Sequence, residues 1–424
     1  MSSTRQPRHD DGTYAAYRNS DPEVPLGSAE LPPFEWEPHP WTSILATHGP
    51  AATRDRAPRG TYYAAVPPAI ADLAVTVEPD AAAAAAEATQ ELARFDAEMG
   101  ERVEQFAPVF LRSESASSSQ VERLTASARA IFTAELGAGR EGSNASRIVS
   151  NTNAMTEALR HTDDLSSDTI LRLHAVLMAG EPQHTPGVYR DEPVWIGGST
   201  PVEAHYVAPH HSRIQELMGD LTSFTARRDV PSFTQVVITH GQFESIHPFS
   251  DGNGRTGRAI AQAQLRHAGI TRGIVIPVSA GILADLDDYH GALDAYRQGE
   301  LSPLVRTFAT ASIRAVDNSR LLVRDIDDVV AGWKSKVTAR SDSNVWRLLD
   351  VLARRPVLTS SAAAAELGVQ PPNIHPALNR LLEAGVLRKK AEHGFGSGPL
   401  YRADDTLEAL DRFAARAGKR AKLN

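Results

Sequence analysis

Between His247 and Arg258 the sequence reads His-Pro-Phe-Ser-Asp-Gly-Asn-Gly-Arg-Thr-Gly-Arg, which puts a base, a carboxylate and two guanidinium groups within twelve residues. His247 is the one residue there that can hold or release a proton near neutral pH. Asp251 supplies a hard carboxylate oxygen suited to Mg²⁺. Arg255 and Arg258, three apart, share one face of a helix and can grip phosphate oxygens. Taken singly, a His before Pro is usually a surface residue, Gly-Asn-Gly is usually a turn, and an Arg pair is usually a solvated face. Together they suit phosphate-transfer chemistry.

Two elements must position this set. Pro231 to Ile246 predicts a helix, with Pro231 in the first turn and Val236, Val237, Phe243 and Ile246 on its apolar face. Pro248 then predicts an extended His247, and Gly252 and Gly254 predict a loop. A second apolar stripe through Ala259, Ile260, Ala263 and Leu265 predicts a helix that stops near Gly269. A Gly-rich loop therefore opens onto a helix N-terminus, where free amides and the dipole receive phosphate.

The string resembles the motif of the Fic (filamentation-induced) family, His-x-Phe-x-Asp/Glu-Gly-Asn-Gly/Lys-Arg-x-x-Arg, and matches every fixed position. The resemblance implies a mainly α fold, a helical bundle with a small β-hairpin flap, that transfers AMP from ATP to a protein Ser, Thr or Tyr hydroxyl. It implies that His247 deprotonates the hydroxyl and Asp251 binds Mg²⁺, with Mn²⁺ as an alternative. Gly252, Asn253 and Gly254 would line the anion hole, Arg255 would contact the phosphates and Arg258 would orient the γ-phosphate. Phe249 falls within the nucleotide site by the same resemblance, and Tyr289 falls where relatives place an aromatic residue near the adenine. A related branch resembling the Doc toxins phosphorylates its target, usually with Lys at the position of Gly254 and without the last Arg; Gly254 and Arg258 place this chain on the AMP-transferring side.

Upstream, Leu111 to Ala126 carries a serine run that predicts a loop, its last members capping a helix with Val121 and Leu124. Ser118 and Glu122 also resemble the family's inhibitory motif, Ser/Thr-x-x-x-Glu-Gly/Asn, although Arg123 stands where Gly or Asn is usual. By resemblance Glu122 would bridge Arg258 and block placement of the γ-phosphate. Val194 to Tyr206, two apolar arms about Gly197-Gly198, predict a hairpin. The resemblance makes residues 194–206 a flap that holds a target segment as an added strand. His205, His210 and His211 lack metal-ligand spacing.

Elsewhere, residues 1–30 are polar and aperiodic and predict a disordered tail. Pro32 to Ala46 predicts an extended strap, Pro67-Pro68 precedes a helix-period stretch, and a long helix is expected from Asp80 to Met99. The chain has 424 residues, no cysteine and no apolar run of membrane length, which excludes disulfides and thiolate metal sites and agrees with a cytoplasmic protein. Its net charge of −8 is uneven: from Ala331 onward sixteen Lys and Arg oppose nine Asp and Glu. In that basic part, Val345–Ala353, Ala362–Leu367 and Pro371–Ala384 predict helices, and two strands follow around a Gly-rich loop. The order resembles a winged helix-turn-helix domain, with Arg380, Arg388, Lys389 and Lys390 as candidate phosphate contacts for DNA, or a protein-docking unit.

The domains expected are 1–30 (tail), 31–140 (helical region with the inhibitory motif), 141–325 (Fic catalytic core), 335–404 (winged helix-turn-helix) and 405–424 (basic tail). Partners expected are ATP, a protein docked on the flap, the chain itself as a self-modified target, and DNA or a protein on the winged helix. A homodimer stays open. Two alternatives remain: removal of AMP by the same site, and a DNA-binding regulator whose core only senses nucleotide.

Overall fold

The computed structural model describes residues 31–42, 59–390 and 398–418. The expected tail at 1–30 and the Gly-rich loop at 391–397 lie outside the described residues. The chain opens with β1 (Glu35–Thr42), paired antiparallel with β2 (Arg59–Val66) from Glu35 opposite Val66 to Thr42 opposite Arg59. The expected strap is thus one strand of a pair. Pro38 and Pro40 are tolerated because β1 pairs only with β2 in this two-stranded sheet. Residues 67–78 hold no helix, contrary to their period, because Pro67, Pro68 and Pro79 limit the run.

Six helices lead to the flap and the central pair: α1 (Pro79–Met99), α2 (Val103–Val121), α3 (Ala128–Glu135), α4 (Asn144–Arg160), α5 (Ser167–Leu177), then, after β3 (Trp195–Ile196) and β4 (Tyr206–Val207), α6 (Ile214–Thr225). The serine run is not a loop. Ser113, Ser115, Ser117, Ser118 and Ser119 lie buried inside α2. Small side chains let α2 press against its neighbours, and their polar groups are satisfied locally: Ser115 Oγ donates to Leu111 O at 2.9 Å, and Asn151 of α4 donates to Ser115 O at 2.9 Å. Tertiary packing overrides the weak helix propensity of serine.

α7 (Ser232–Ile246) and α8 (Asn253–His267) follow, and both are buried on almost every side. Helices enclosed all round belong at the middle of a bundle. That makes their polar residues informative, since His240, Glu244, Arg255 and Arg258 sit in the core rather than on a solvated face. α9 (Val278–Leu283), α10 (Leu286–Arg297) and the long α11 (Ser302–Lys336) close the bundle.

The C-terminal part contains α12 (Asn344–Arg354), β5 (Val357–Leu358), α13 (Ser360–Leu367), α14 (Pro371–Glu383), β6 (Arg388–Lys390) and β7 (Leu400–Arg402). Thr359 caps α13 by accepting from Ala362 N, and Gly368 takes the left-handed turn after it. The sheet order β5-β7-β6 adds one strand to the two expected. α15 (Asp404–Ala417) is no free tail. Its Leu407, Ala409, Phe413 and Ala417 are buried, and Asp411 accepts from Ala128 N at the start of α3 at 2.9 Å.

Candidate functional site

The site forms where the end of α7 meets the mouth of α8. His247 does not extend as Pro248 suggested. It adopts φ 49, ψ 60, a left-handed cap whose N–H donates to Phe243 O. This turn ends α7 and throws the loop 248–252 across α5. Arg190, 4% exposed, fastens the turn: its Nε donates to His247 O at 2.8 Å and its Nη2 to Pro209 O at 2.7 Å. Arg190 ends the string Pro-Gly-Val-Tyr-Arg at residues 186–190, and a charge beside a turn gives no sign of burial.

Two further residues shape the loop. His174 of α5 stacks on Phe249 with ring centroids 3.7 Å apart, its Nε2 3.1 Å from Asp251 O and its Nδ1 accepting from Gly187 N. Burial pushes its pKa down to about 4, so the ring is neutral at pH 7. Nothing in the sequence distinguishes His174 from any helical His. Asn253 accepts from Phe249 N at 2.9 Å and donates to Phe249 O at 2.8 Å. Its side chain thus clamps the loop rather than facing an anion.

Phe249 is wholly buried between His174, Tyr189 and Phe243, so it anchors the loop and is closed to a nucleotide. Tyr289 is likewise a core residue. It is 3% exposed, with its hydroxyl 2.8 Å from His240 Nε2, and it presents no open face to a base.

The anion cradle is built at the start of α8. Gly252 takes φ 78, and the first bond across the new helix runs from Thr256 N to Gly252 O. The N–H groups of Asn253, Gly254 and Arg255 lie ahead of it, as at any helix mouth. Arg255 is 2% exposed, and its Nε and Nη1 have no hydrogen-bond partner among the described residues. Its Nη2 reaches only Met178 Sδ at 3.8 Å and Asp251 Oδ1 at 3.4 Å. A buried guanidinium so poorly matched by protein fits a site that receives a polyanion.

Arg258, by contrast, is taken. Its Nε donates to Ser118 Oγ at 2.9 Å, and its Nη2 donates to Ser118 O at 2.8 Å and Glu122 Oε1 at 2.9 Å. The Glu122 oxygen also lies over Gly254, where an added Cβ would come within 2.0 Å of it. A carboxylate therefore rests on the cradle itself. Burial, the largest single influence, acts to raise the Glu122 pKa, but the Arg258 charge and hydrogen bond together with the Arg255 charge outweigh it, and the net shift is downward, so the carboxylate is ionised at neutral pH. Burial likewise opposes the Arg258 charge, and Glu122, Tyr289 and Glu244 together overcome it.

α2 ends at Glu122, and the next residue explains a departure from the family pattern. Arg123 has φ 62, the left-handed region that Gly or Asn enters at least cost. Arg123→Gly is expected to stabilise the fold by about 1 kcal/mol while leaving Glu122 in place. A thermal melt checks this; a lowered midpoint would contradict the strain.

Just beyond α7, His247 Nδ1 lies 3.2 Å from Glu244 O. A carbonyl only accepts, so Nδ1 carries the hydrogen and Nε2 is left able to accept a proton. Burial pushes the His247 pKa down to about 4. Burial also pushes Glu244 up to about 7.

Residues 164–265 match the model of the Fic/DOC family. The chain is 26% identical over 177 residues to protein adenylyltransferase fic-1 of Caenorhabditis elegans, covering 42% of this chain and 33% of that protein. It is 24% identical over 162 residues to protein adenylyltransferase Fic of Nematostella vectensis, covering 38% and 35%. The chain thus spans about a third of the length of these relatives. A Fic family protein from Desulfovibrio desulfuricans superposes with a TM-score of 0.50 at 23% identity, over 77% of this chain and 97% of that one, and so shares its fold.

Proposed function

Since the chain carries a Fic/DOC family domain over residues 164–265, we propose that it is a protein adenylyltransferase, held off by its own Glu122. The observation that carries this reading is the pairing of a buried, poorly matched Arg255 with an Arg258 already occupied by a carboxylate. One guanidinium waits for phosphate. The other holds a substitute for it.

The step balances as follows. The target hydroxyl oxygen attacks the α-phosphorus of ATP, and its proton passes to His247 Nε2. The bond from the α-phosphorus to the bridging oxygen breaks, and pyrophosphate leaves. Amides at residues 253–255 and Arg255 receive the phosphate oxygens, and Arg258, once freed, receives the γ-phosphate. Asp251 is suited to hold Mg²⁺, since the hydrogen bonds it accepts from Gly252 N and Arg255 Nη2 both fall on Oδ1. When bound, the metal neutralises phosphate charge.

The pair β3 and β4 would lay a target segment beside His247 by strand addition, with the chain itself as one candidate target. Residues 335–404 would serve as the winged helix; Arg380 and β6 are exposed and suit DNA or an acidic protein. No helix among the described residues is long and apolar enough to cross a membrane.

The low His247 pKa sets a pH test. A base that is neutral above about pH 4 is competent throughout the neutral range. Transfer by the Glu122→Gly variant is therefore expected to be flat from about pH 8 to about pH 6 and to fall only towards pH 4. Removing Glu122 takes away a charge that raises the His247 pKa, which lowers the midpoint further. A midpoint near 6.5 in the rate profile would remove His247 as the buried base.

A further inference from the structure

Glu181, His184 and Asp251 converge beside the mouth of α8. Each presents one ligand atom, and the three atoms lie within 4.8 Å of one another. His184 Nε2 is 3.7 Å from Asp251 Oδ2, while Asp251 Oδ1 is engaged by Gly252 N at 2.6 Å. Glu181 is 5% exposed; its Oε2 lies 2.8 Å from Arg147 Nη2 yet makes no hydrogen bond of acceptable geometry. Ser250 Oγ donates to His184 O at 3.1 Å, so the turn bearing Glu181 and His184 is pinned to the loop that bears Asp251.

We propose that Glu181, His184 and Asp251 form a single divalent-cation site, with His184 as a nitrogen ligand that makes it select a transition metal such as Mn²⁺ over Mg²⁺. The inference deepens the reading of Asp251 as a metal ligand and rests on it. Donor chemistry supports the selection. Mg²⁺ favours oxygen ligands and keeps its waters, whereas imidazole suits transition ions such as Zn²⁺ and carboxylates suit Mn²⁺, so the mixed set favours a transition ion. Charge supports it too. Arg147 and Arg255 already offset Glu181 and Asp251, so the site has little net charge with which to attract a hard cation. Affinity then depends on the nitrogen. Ligand atoms at this spacing need only small side-chain rotations to meet one ion at about 2.0–2.2 Å from each.

The test uses the full chain without nucleotide. Mn²⁺ is titrated by electron paramagnetic resonance, Mg²⁺ is added as a competitor, and the bound signal is searched for ¹⁴N modulation. One Mn²⁺ bound with nitrogen modulation is expected. His184→Ala is expected to abolish the modulation and weaken Mn²⁺ at least about tenfold, with Mg²⁺ affinity changed less than about twofold. Glu181→Gln is expected to weaken Mn²⁺ but retain the modulation, which separates loss of a ligand from loss of the turn. Absence of bound Mn²⁺ in the unsubstituted protein, absence of nitrogen modulation, or equal Mn²⁺ binding by His184→Ala would each overturn the proposal. ATP and target are absent throughout, so failure of the transferase reading would appear in labelling and not here.

Discussion

Replacing Glu122 with glycine is expected to raise label transfer from ATP by roughly ten- to a hundredfold. The carboxylate does two things in the resting protein: it accepts from Arg258 Nη2 at 2.9 Å and it covers Gly254 at the cradle. A hydrogen bond to a charged partner contributes about 1.5–3 kcal/mol, and each 1.4 kcal/mol is about a factor of ten. The Glu122 side chain is 42% exposed, so solvent screening favours the lower end of that range. Arg258 keeps its two bonds to Ser118 in the variant and so stays in place rather than collapsing elsewhere. Self-modification read by intact-mass spectrometry checks the prediction. Equal labelling of the variant and the parent chain would end the claim that Glu122 holds the enzyme off.

The second large effect belongs to His247. In the Glu122→Gly background, His247→Ala is expected to reduce transfer by at least about a hundredfold, the lower bound for a positioned general base. ATP affinity should stay within about twofold, because the phosphate receptors lie on α8 and not on the imidazole. The backbone turn should also survive. Arg190 grips His247 O and Phe243 O accepts from His247 N, and neither bond involves the ring. Calorimetry with ATP alongside the labelling assay separates the two outcomes. Loss of binding in step with loss of transfer would mean that the residue shapes the pocket and does not move the proton.

Some of this architecture was legible in advance and some was not, for physical reasons. The loop-to-helix junction was legible because Gly252 and the apolar stripe from Ala259 to Leu265 act locally. Thr359 and Gly368 were legible for the same reason, as cap and turn residues. The serines of α2 were not. Their burial is decided by helices far away in sequence, and Asn151 supplies partners to Ser115 and Ser119 that a polar run cannot announce. The reading of His247 as extended weighed Pro248 alone and missed that the end of α7 requires a left-handed cap. The basic tail was expected to be an amphipathic helix end from Arg412; the helix starts earlier, at Asp404, and Leu407, Phe413 and Ala417 on it are buried.

At the site, the residues brought together by the fold are His247, Asp251, the 252–254 cradle, Arg255, Arg258, Ser118 and Glu122. Phe249 and Tyr289 were assigned to nucleotide and instead lie in the core, since an aromatic ring in a motif is equally suited to packing. Arg190 and His174 were missed because their partners are backbone carbonyls and amides, which leave no trace in residue identity.

One measurement bears most directly on the central claim: incubation of the Glu122→Gly chain with ATP labelled at either the α- or the γ-phosphorus. The arrangement of His247, the α8 cradle and the two arginines requires α-label to become covalently attached, γ-label to leave with pyrophosphate, and both signals to vanish in the Glu122→Gly/His247→Ala double variant. Attachment of γ-label, or attachment of α-label that persists without His247, would contradict it.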